Sequence, residues 1–310
     1  MGDLFKALTS GLAQFVYAWL LPSSLVCGLY ASVILGNAKS QFRVEPGVVV
    51  GSALFVLATL SLSVTFAYAS RPLYRLLEGY TLPARMKKRL TRRQRREFIK
   101  LSVLADSVNP ILRASATEKL KLYPESIADI MPTRMGNALK SMEKYGVSRF
   151  GIDTQTFWYE LQALAIDDVR KSTQDTRAAV DFFVCSLAHL SLLAVLCVAS
   201  IPIVNEVWIA LALGGLCLLL IPPCYSQAVM NILEWRWSVQ ALLHLTRGEF
   251  AKRLQISVPE DPAAERQMWS ALTDYVHFGR DDDYLKVFTR SRGKGDLHLP
   301  PDPGPVHSKM

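Results

Sequence analysis

No aspartate, glutamate, lysine or arginine occurs between Lys6 and Lys39, Glu45 and Arg71, Asp181 and Glu206, or Glu206 and Glu234. A bilayer core about 30 Å thick is crossed by a helix of roughly 20 apolar residues. Four charge-free stretches of this length argue against an ordinary soluble chain. They predict four spans, over Gly11–Leu35, Val48–Tyr68, Phe182–Ile203 and Val207 to about Tyr225. The first is far longer than the hydrophobic core of a secretory signal, so a cleaved leader is disfavoured. Pro22 lies inside it; proline is tolerated in a membrane helix whose neighbours satisfy the freed carbonyl, which predicts a kink rather than a break.

Other absences narrow the chemistry. The five cysteines, Cys27, Cys185, Cys197, Cys217 and Cys224, form no CxxC pair and no Cys/His cluster. All lie in or beside the apolar runs, where cysteine behaves as a small hydrophobe. No disulfide framework, metal site or cofactor is expected. There is no GxxxxGK loop, no HExxH and no GxSxG, which lowers the expectation of an enzyme. The spans carry no deep acid or base, which argues against a transporter built on buried carboxylates. No stretch alternates with period two, so the predicted class is all-α.

The charges that are present give an orientation. The chain carries a net +8. Just past the second span lie Arg71, Arg75, Arg85, Lys87, Lys88, Arg89, Arg92, Arg93, Arg95, Arg96 and Lys100, opposed only by Glu78 and Glu97. The loop between the first two spans has only Lys39, Arg43 and Glu45, and the turn near Pro202–Glu206 a single acid. By the positive-inside rule the middle segment is cytoplasmic, and an even number of spans puts both termini there too. The expected architecture is an all-α polytopic membrane protein with four transmembrane helices in two hairpins. Residues 1–70 form the first hairpin, 71–180 a cytoplasmic helical domain, and 181–233 the second hairpin. Residues 234–290 form C-terminal cytoplasmic helices, and 291–310, rich in Gly, Pro and Asp, a disordered tail.

Within the middle segment, residues 70–80 continue the second helix and Gly79 is placed to end it. A long basic helix is predicted from Pro83 to about Ala114, with Asn109-Pro110 as a break or kink. Residues 131–137 lead into a helix over Ala138–Tyr145, followed by a turn region at Gly146–Asp153. An aromatic-bearing helix is expected over Thr154–Ala165, and a charged helix rises from Asp167 into the third span. After the fourth span, Glu234–Arg253 reads as amphipathic and Ala263–Phe278 as a last helix. The acidic run Asp281–Asp283 lacks calcium-loop spacing.

Few polar residues stand out. Arg85, Lys87, Lys88, Arg89, Arg92, Arg93, Arg95 and Arg96 put eight cations into twelve residues. Such a run is first a topology determinant. It also suits anionic lipid head groups, at about 1 kcal/mol per cation near the surface, or another partner. Nucleic acid is disfavoured because no aromatics are interleaved to stack bases. His189 is the one imidazole inside a span; its bland reading is a neutral histidine bonded to a neighbouring helix, with Ser61, Ser63 and Thr65 available. The small residues Gly51, Ala53, Ala58, Ala67, Ala69, Gly214 and Gly215 would let helices approach closely in a bundle or oligomer.

Three stretches carry a resemblance. They are residues 72–80 (PLYRLLEGY), residues 132–137 (PTRMGN) with the following Tyr145 to Trp158, and the helix ending Leu245-Thr246-Arg247. In them the chain resembles a group of uncharacterised bacterial four-span membrane proteins, found notably in actinobacteria and cyanobacteria. The resemblance implies a bacterial inner-membrane location and no activity. The layout of two spans, cytoplasmic helices and two spans is similar in topology to bestrophin-type anion channels, without their sequence motif.

Three readings follow. The first is a non-enzymatic homo-oligomer in the lipid bilayer, pore-forming if its apolar spans line an axis and gate by dewetting. The second is a membrane-anchored scaffold or sensor that binds a cytoplasmic partner or anionic lipid through the basic helix and the neighbourhood of Glu78, Arg134 and Asn137. The third is a divergent enzyme using Glu78, Arg134, Asp153 and Asp168. Glu78, Arg134, Asn137 and His189 are the candidate polar or partner site.

Overall fold

A computed structural model describes residues 11–42 and 47–279. Arg43 and Glu45 of the first loop, the Asp281–Asp283 run and the proposed tail from 291 lie outside them. Among the described residues there is no strand, only one isolated β-bridge. Four helices are long and apolar enough to cross a membrane: α1 (Gly11–Leu35), α2 (Val48–Tyr68), α8 (Asp167–Ala199) and α9 (Val207–Arg253). The fold is an all-α polytopic membrane architecture.

The remaining helices are α3 (Ser70–Glu78), α4 (Ala84–Ala105), α5 (Pro110–Leu120), α6 (Arg134–Phe150), α7 (Trp158–Leu164) and α10 (Pro262–Phe278). The chain divides into two compact units. Of the described residues, one takes in those up to Lys144 together with Ile166–Leu242, the other Tyr145–Ala165 and those from Leu243 on.

In the first unit, α1, α8 and α9 share a buried apolar cluster. Val26 and Ile34 of α1 pack with Leu193, Ala194 and Cys197 of α8 and with Ala210 and Cys217 of α9. Pro22 does not break α1. The accommodation is a π-helical turn, Val16–Leu20, just before it, in which Leu21 N–H bonds the Val16 carbonyl. Such single-turn bulges absorb a residue that the i→i+4 ladder cannot serve. At the loop ends of the spans the two hairpins are joined. Ala38 and Val204 form the β-bridge; Lys39 N–H donates to the Ile203 carbonyl at 2.8 Å and Asn205 N–H to the Asn37 carbonyl at 2.8 Å.

Several boundaries differ from those read in the sequence. The basic helix stops at Ala105, not near Ala114. Asn109 begins a new helix rather than kinking an old one: its Oδ1 accepts from Ile111 and Leu112 N–H, and Pro110 takes the first helical position, where its missing N–H costs nothing. The expected turn at Gly146 is helical, and α6 runs on to Phe150. The aromatic helix is shorter than Thr154–Ala165, covering Trp158–Leu164. The fourth span and the amphipathic segment after it are one helix of 47 residues with Pro222 and Pro223 inside.

The second unit is held by aromatic packing. Phe250 lies 5.2 Å from Phe157 and stacks on Trp269 at 5.7 Å. Trp269 is fully buried, and its indole N–H donates to Glu265 Oε1 at 3.2 Å. The same carboxylate oxygen accepts from Arg247 Nε at 3.1 Å, and that guanidinium covers the Phe150 ring at 4.3 Å.

Candidate functional site

The two motif segments after the second span meet in space. Helix α3 ends in a Schellman turn: Gly79 N–H bonds the Leu76 carbonyl and Tyr80 N–H the Arg75 carbonyl. Gly79 has φ +90°, a left-handed conformation that glycine takes without cost. Its α-carbon faces Pro132 and Thr133 so closely that no side chain fits. From the other segment, a Cβ on Gly136 would lie 2.6 Å from the Glu78 carbonyl oxygen and 2.9 Å from Met131 Cβ. The PLYRLLEGY and PTRMGN stretches are therefore two sides of one seam, each contributing the glycine that the other requires.

Asn137 locks that seam. It is fully buried, and its Oδ1 accepts from Met131 N–H at 2.7 Å. Its Nδ2 donates to the Met131 carbonyl at 3.2 Å and to Gln94 Oε1 at 3.3 Å. Gln94 Oε1 also accepts from the Tyr123 hydroxyl at 2.8 Å. One asparagine thus ties the 131–133 loop to the basic helix α4. Each buried bond of this kind contributes on the order of 1 kcal/mol, and an orphaned partner costs more.

Glu78 sits beside α6 at this seam. Burial first, then the Glu143 carboxylate, pushes its carboxyl up to about 7, against the pull of Lys140 and Arg75. Burial works against the charge on Lys140, but Glu143 at 3.1 Å holds that ammonium above the ordinary lysine range. Arg134 is exposed at the start of α6. Glu78, Arg134 and Asn137 lie along one seam with different surroundings: the Glu78 carboxyl is raised by burial, Arg134 faces solvent and Asn137 is buried in hydrogen bonds.

His189 is apart from them, enclosed between spans. Its Nε2 is 3.0 Å from Ser23 Oγ of α1, its Nδ1 is 2.8 Å from the Cys185 carbonyl, and the Phe66 ring lies 4.3 Å away. Its partner is Ser23, not a hydroxyl of α2: Ser63 and Thr65 donate instead to Thr59 and Ser61 carbonyls of their own helix. Ser23 could not be singled out in advance, because hydroxyls are common in spans and nothing local marks which one faces α8.

Of the residues considered for an enzyme, Asp153 lies beside a hydroxyl and an imidazole, without the geometry of a relay. Thr156 Oγ1 lies 2.9 Å from Asp153 Oδ2 and 2.6 Å from His277 Nε2, and that same Nε2 is 3.5 Å from the aspartate. Acid and hydroxyl crowd one ring nitrogen, whereas a relay needs them on opposite nitrogens. Asp168 lies in the first turn of α8, where an acid favours a helix start. Among the described residues no group of three metal-ligating side chains occurs.

The basic helix α4 is oriented from one side. Phe98 packs on Tyr123 at 5.7 Å, Leu101 is buried, and Gln94 joins the Asn137 network. Residues 94, 98 and 101 recur at helical spacing, so the remaining arc faces outward. Arg85, Lys88, Arg89, Arg92, Arg93, Arg95 and Arg96 are all exposed, and Lys87 is half-buried with its ammonium 5.6 Å from the Tyr80 ring. Among the described residues none of these cations lies within ion-pair distance of a carboxylate. By contrast Lys121, Lys140, Arg170, Arg177, Arg247, Lys252 and Arg253 each have an acidic partner. Beside the basic arc, Ile99, Val103, Val108, Ile111 and Leu112 are exposed where α4 turns into α5.

No protein-family model, no curated protein and no solved structure matches the chain. The site therefore rests on its own geometry.

Proposed function

We propose that the chain is a non-enzymatic, multi-pass protein of a bacterial inner membrane, with both termini cytoplasmic, that presents the α4–α5 hairpin to an acidic protein partner. The observation that carries this reading is that, among the described residues, no α4 cation of the basic run has a carboxylate within ion-pair distance, beside the exposed apolar residues of the hairpin turn. A run of arginines serving orientation alone needs no fixed presentation, yet α4 is held by the Gln94–Tyr123–Asn137 network. Its Tyr123 side is already used, and the apolar residues left exposed on the helix, Met86, Ile99 and Val103, do not make the continuous apolar face of a helix lying in a bilayer surface. An apolar centre with a cationic rim is a pattern that protein interfaces use.

Charge reversal at Arg92, Arg93, Arg95 and Arg96 tests it. The variant is expected to insert normally and to lose its partner. Unchanged recruitment would refute the reading.

Self-assembly is a second reading, favoured by the bare outer face of α2. Only 11% of its apolar stretch is buried, against 17% for α9, 33% for α1 and 39% for α8. Lipid or another copy would cover Val50, Leu54 and Leu57. Disulfide trapping through a cysteine at Leu54 separates the two: a dimer band supports assembly, and a monomer at all protein-to-lipid ratios rejects it.

A further inference from the structure

Trp19 of α1, Ala67 in the last turn of α2 and Asp181 of α8 border an open cleft of about 480 Å³, whose other wall is α3 with Arg71, Tyr74 and Arg75. Its lining combines the apolar Trp19 and Ala67 with the cations Arg71, Arg75 and Arg177. Arg71 and Arg75 are four residues apart and so share one helix face. Both are exposed, and among the described residues neither has a carboxylate within ion-pair distance. Across from them Arg177 reaches Asp181 Oδ2 only at 3.9 Å. Asp181 is otherwise engaged, accepting the Tyr74 hydroxyl on Oδ1 at 2.7 Å. Three guanidinium groups thus line the cleft against Asp181, already bonded, and Glu78.

The position is as informative as the charge. Arg71 and Arg75 follow the end of α2 by one and two turns, where the head groups of a bilayer begin. Tryptophan favours that same level. Guanidinium recognises phosphate through paired N–H donors, and basic pockets between membrane helices take lipid head groups. A small soluble anion would leave the Trp19 and Ala67 wall unused.

We propose that this cleft binds the phosphate of an anionic phospholipid, held by Arg71 and Arg75 on one side and Arg177 on the other, with the glycerol and first methylenes against Trp19 and Ala67. The site is separate from the α4 face, and it stands or falls independently of the partner proposed for that face.

The test is native mass spectrometry of the full chain in mild detergent with phosphatidylglycerol or phosphatidylcholine. The wild type is expected to retain one phosphatidylglycerol in preference to phosphatidylcholine. The double variant Arg71→Gln/Arg75→Gln should weaken retention about tenfold or more, since each cation near the surface is worth about 1 kcal/mol. Arg92→Glu/Arg93→Glu should leave it unchanged. Because Arg71 is exposed, Arg71→Gln alone gives a readable loss should the double variant fold poorly. Equal retention by the α3 variants, or an equal loss in the α4 control, overturns the proposal. Displacement of the lipid by millimolar inorganic phosphate overturns it in favour of a free anion.

Discussion

A Cβ on Gly136 would stand 2.6 Å from the carbonyl oxygen of Glu78. Both that oxygen and the Gly136 α-carbon are backbone, so neither can yield without moving a helix. Gly136→Ala should therefore cost about 1–3 kcal/mol, in the range for overpacking. Thermal unfolding of the detergent-solubilised protein measures it; a variant as stable as the wild type would show that the seam is loose.

Asn137→Ala removes the acceptor of Met131 N–H and the donor to Gln94. Leaving a buried N–H unsatisfied costs about 1–3 kcal/mol. Amide hydrogen exchange at Met131 should accelerate and α4 should become easier to cleave. Unchanged protection at that amide would mean another acceptor replaces Asn137.

Glu78 gives a pH dependence with a definite sign. Its carboxyl is raised to about 7 in the folded chain from an ordinary 4.5. Between those values the folded state binds more protons than the unfolded state, so stability falls as pH rises through that window and levels off above it. Glu78→Gln should raise the melting temperature at pH 8, above the window, and have little effect at pH 4, below it. An equal shift at both values would rule out titration as the cause.

Orientation has its own test. In a cysteine-free background, a cysteine at Lys39 should react with a membrane-impermeant thiol reagent applied outside intact cells, and one at Arg92 only after lysis. The reverse pattern would invert the topology.

The spans were legible because a lack of charge over some twenty residues has few other causes. The ending of α3 at Gly79 was legible too, since a left-handed cap selects glycine. Boundaries governed by small energies were not. Gly146 costs a helix only about 1 kcal/mol relative to alanine, too little to stop α6. Asn109-Pro110 suits a kink or a helix start equally, and only the hydrogen bonds of Asn109 decide. Contacts between distant segments left no local trace. The Ala38–Val204 bridge, the Ser23–His189 pair and the Tyr74–Asp181 bond join residues more than a hundred positions apart. Glu78, Arg134 and Asn137 were singled out from their motifs, but the sequence could not show that burial, solvent and a hydrogen-bond network would separate their surroundings.

The most direct test of the proposed partner surface is site-specific photo-crosslinking in living cells from a probe at Ile99 or Val103, with a probe at Tyr159 as control. The account predicts a discrete protein adduct of acidic character from the two α4 positions, absent at Tyr159 and lost when Arg92, Arg93, Arg95 and Arg96 are reversed to glutamate. Adducts to lipid alone, or a protein adduct that survives the charge reversal, would contradict it.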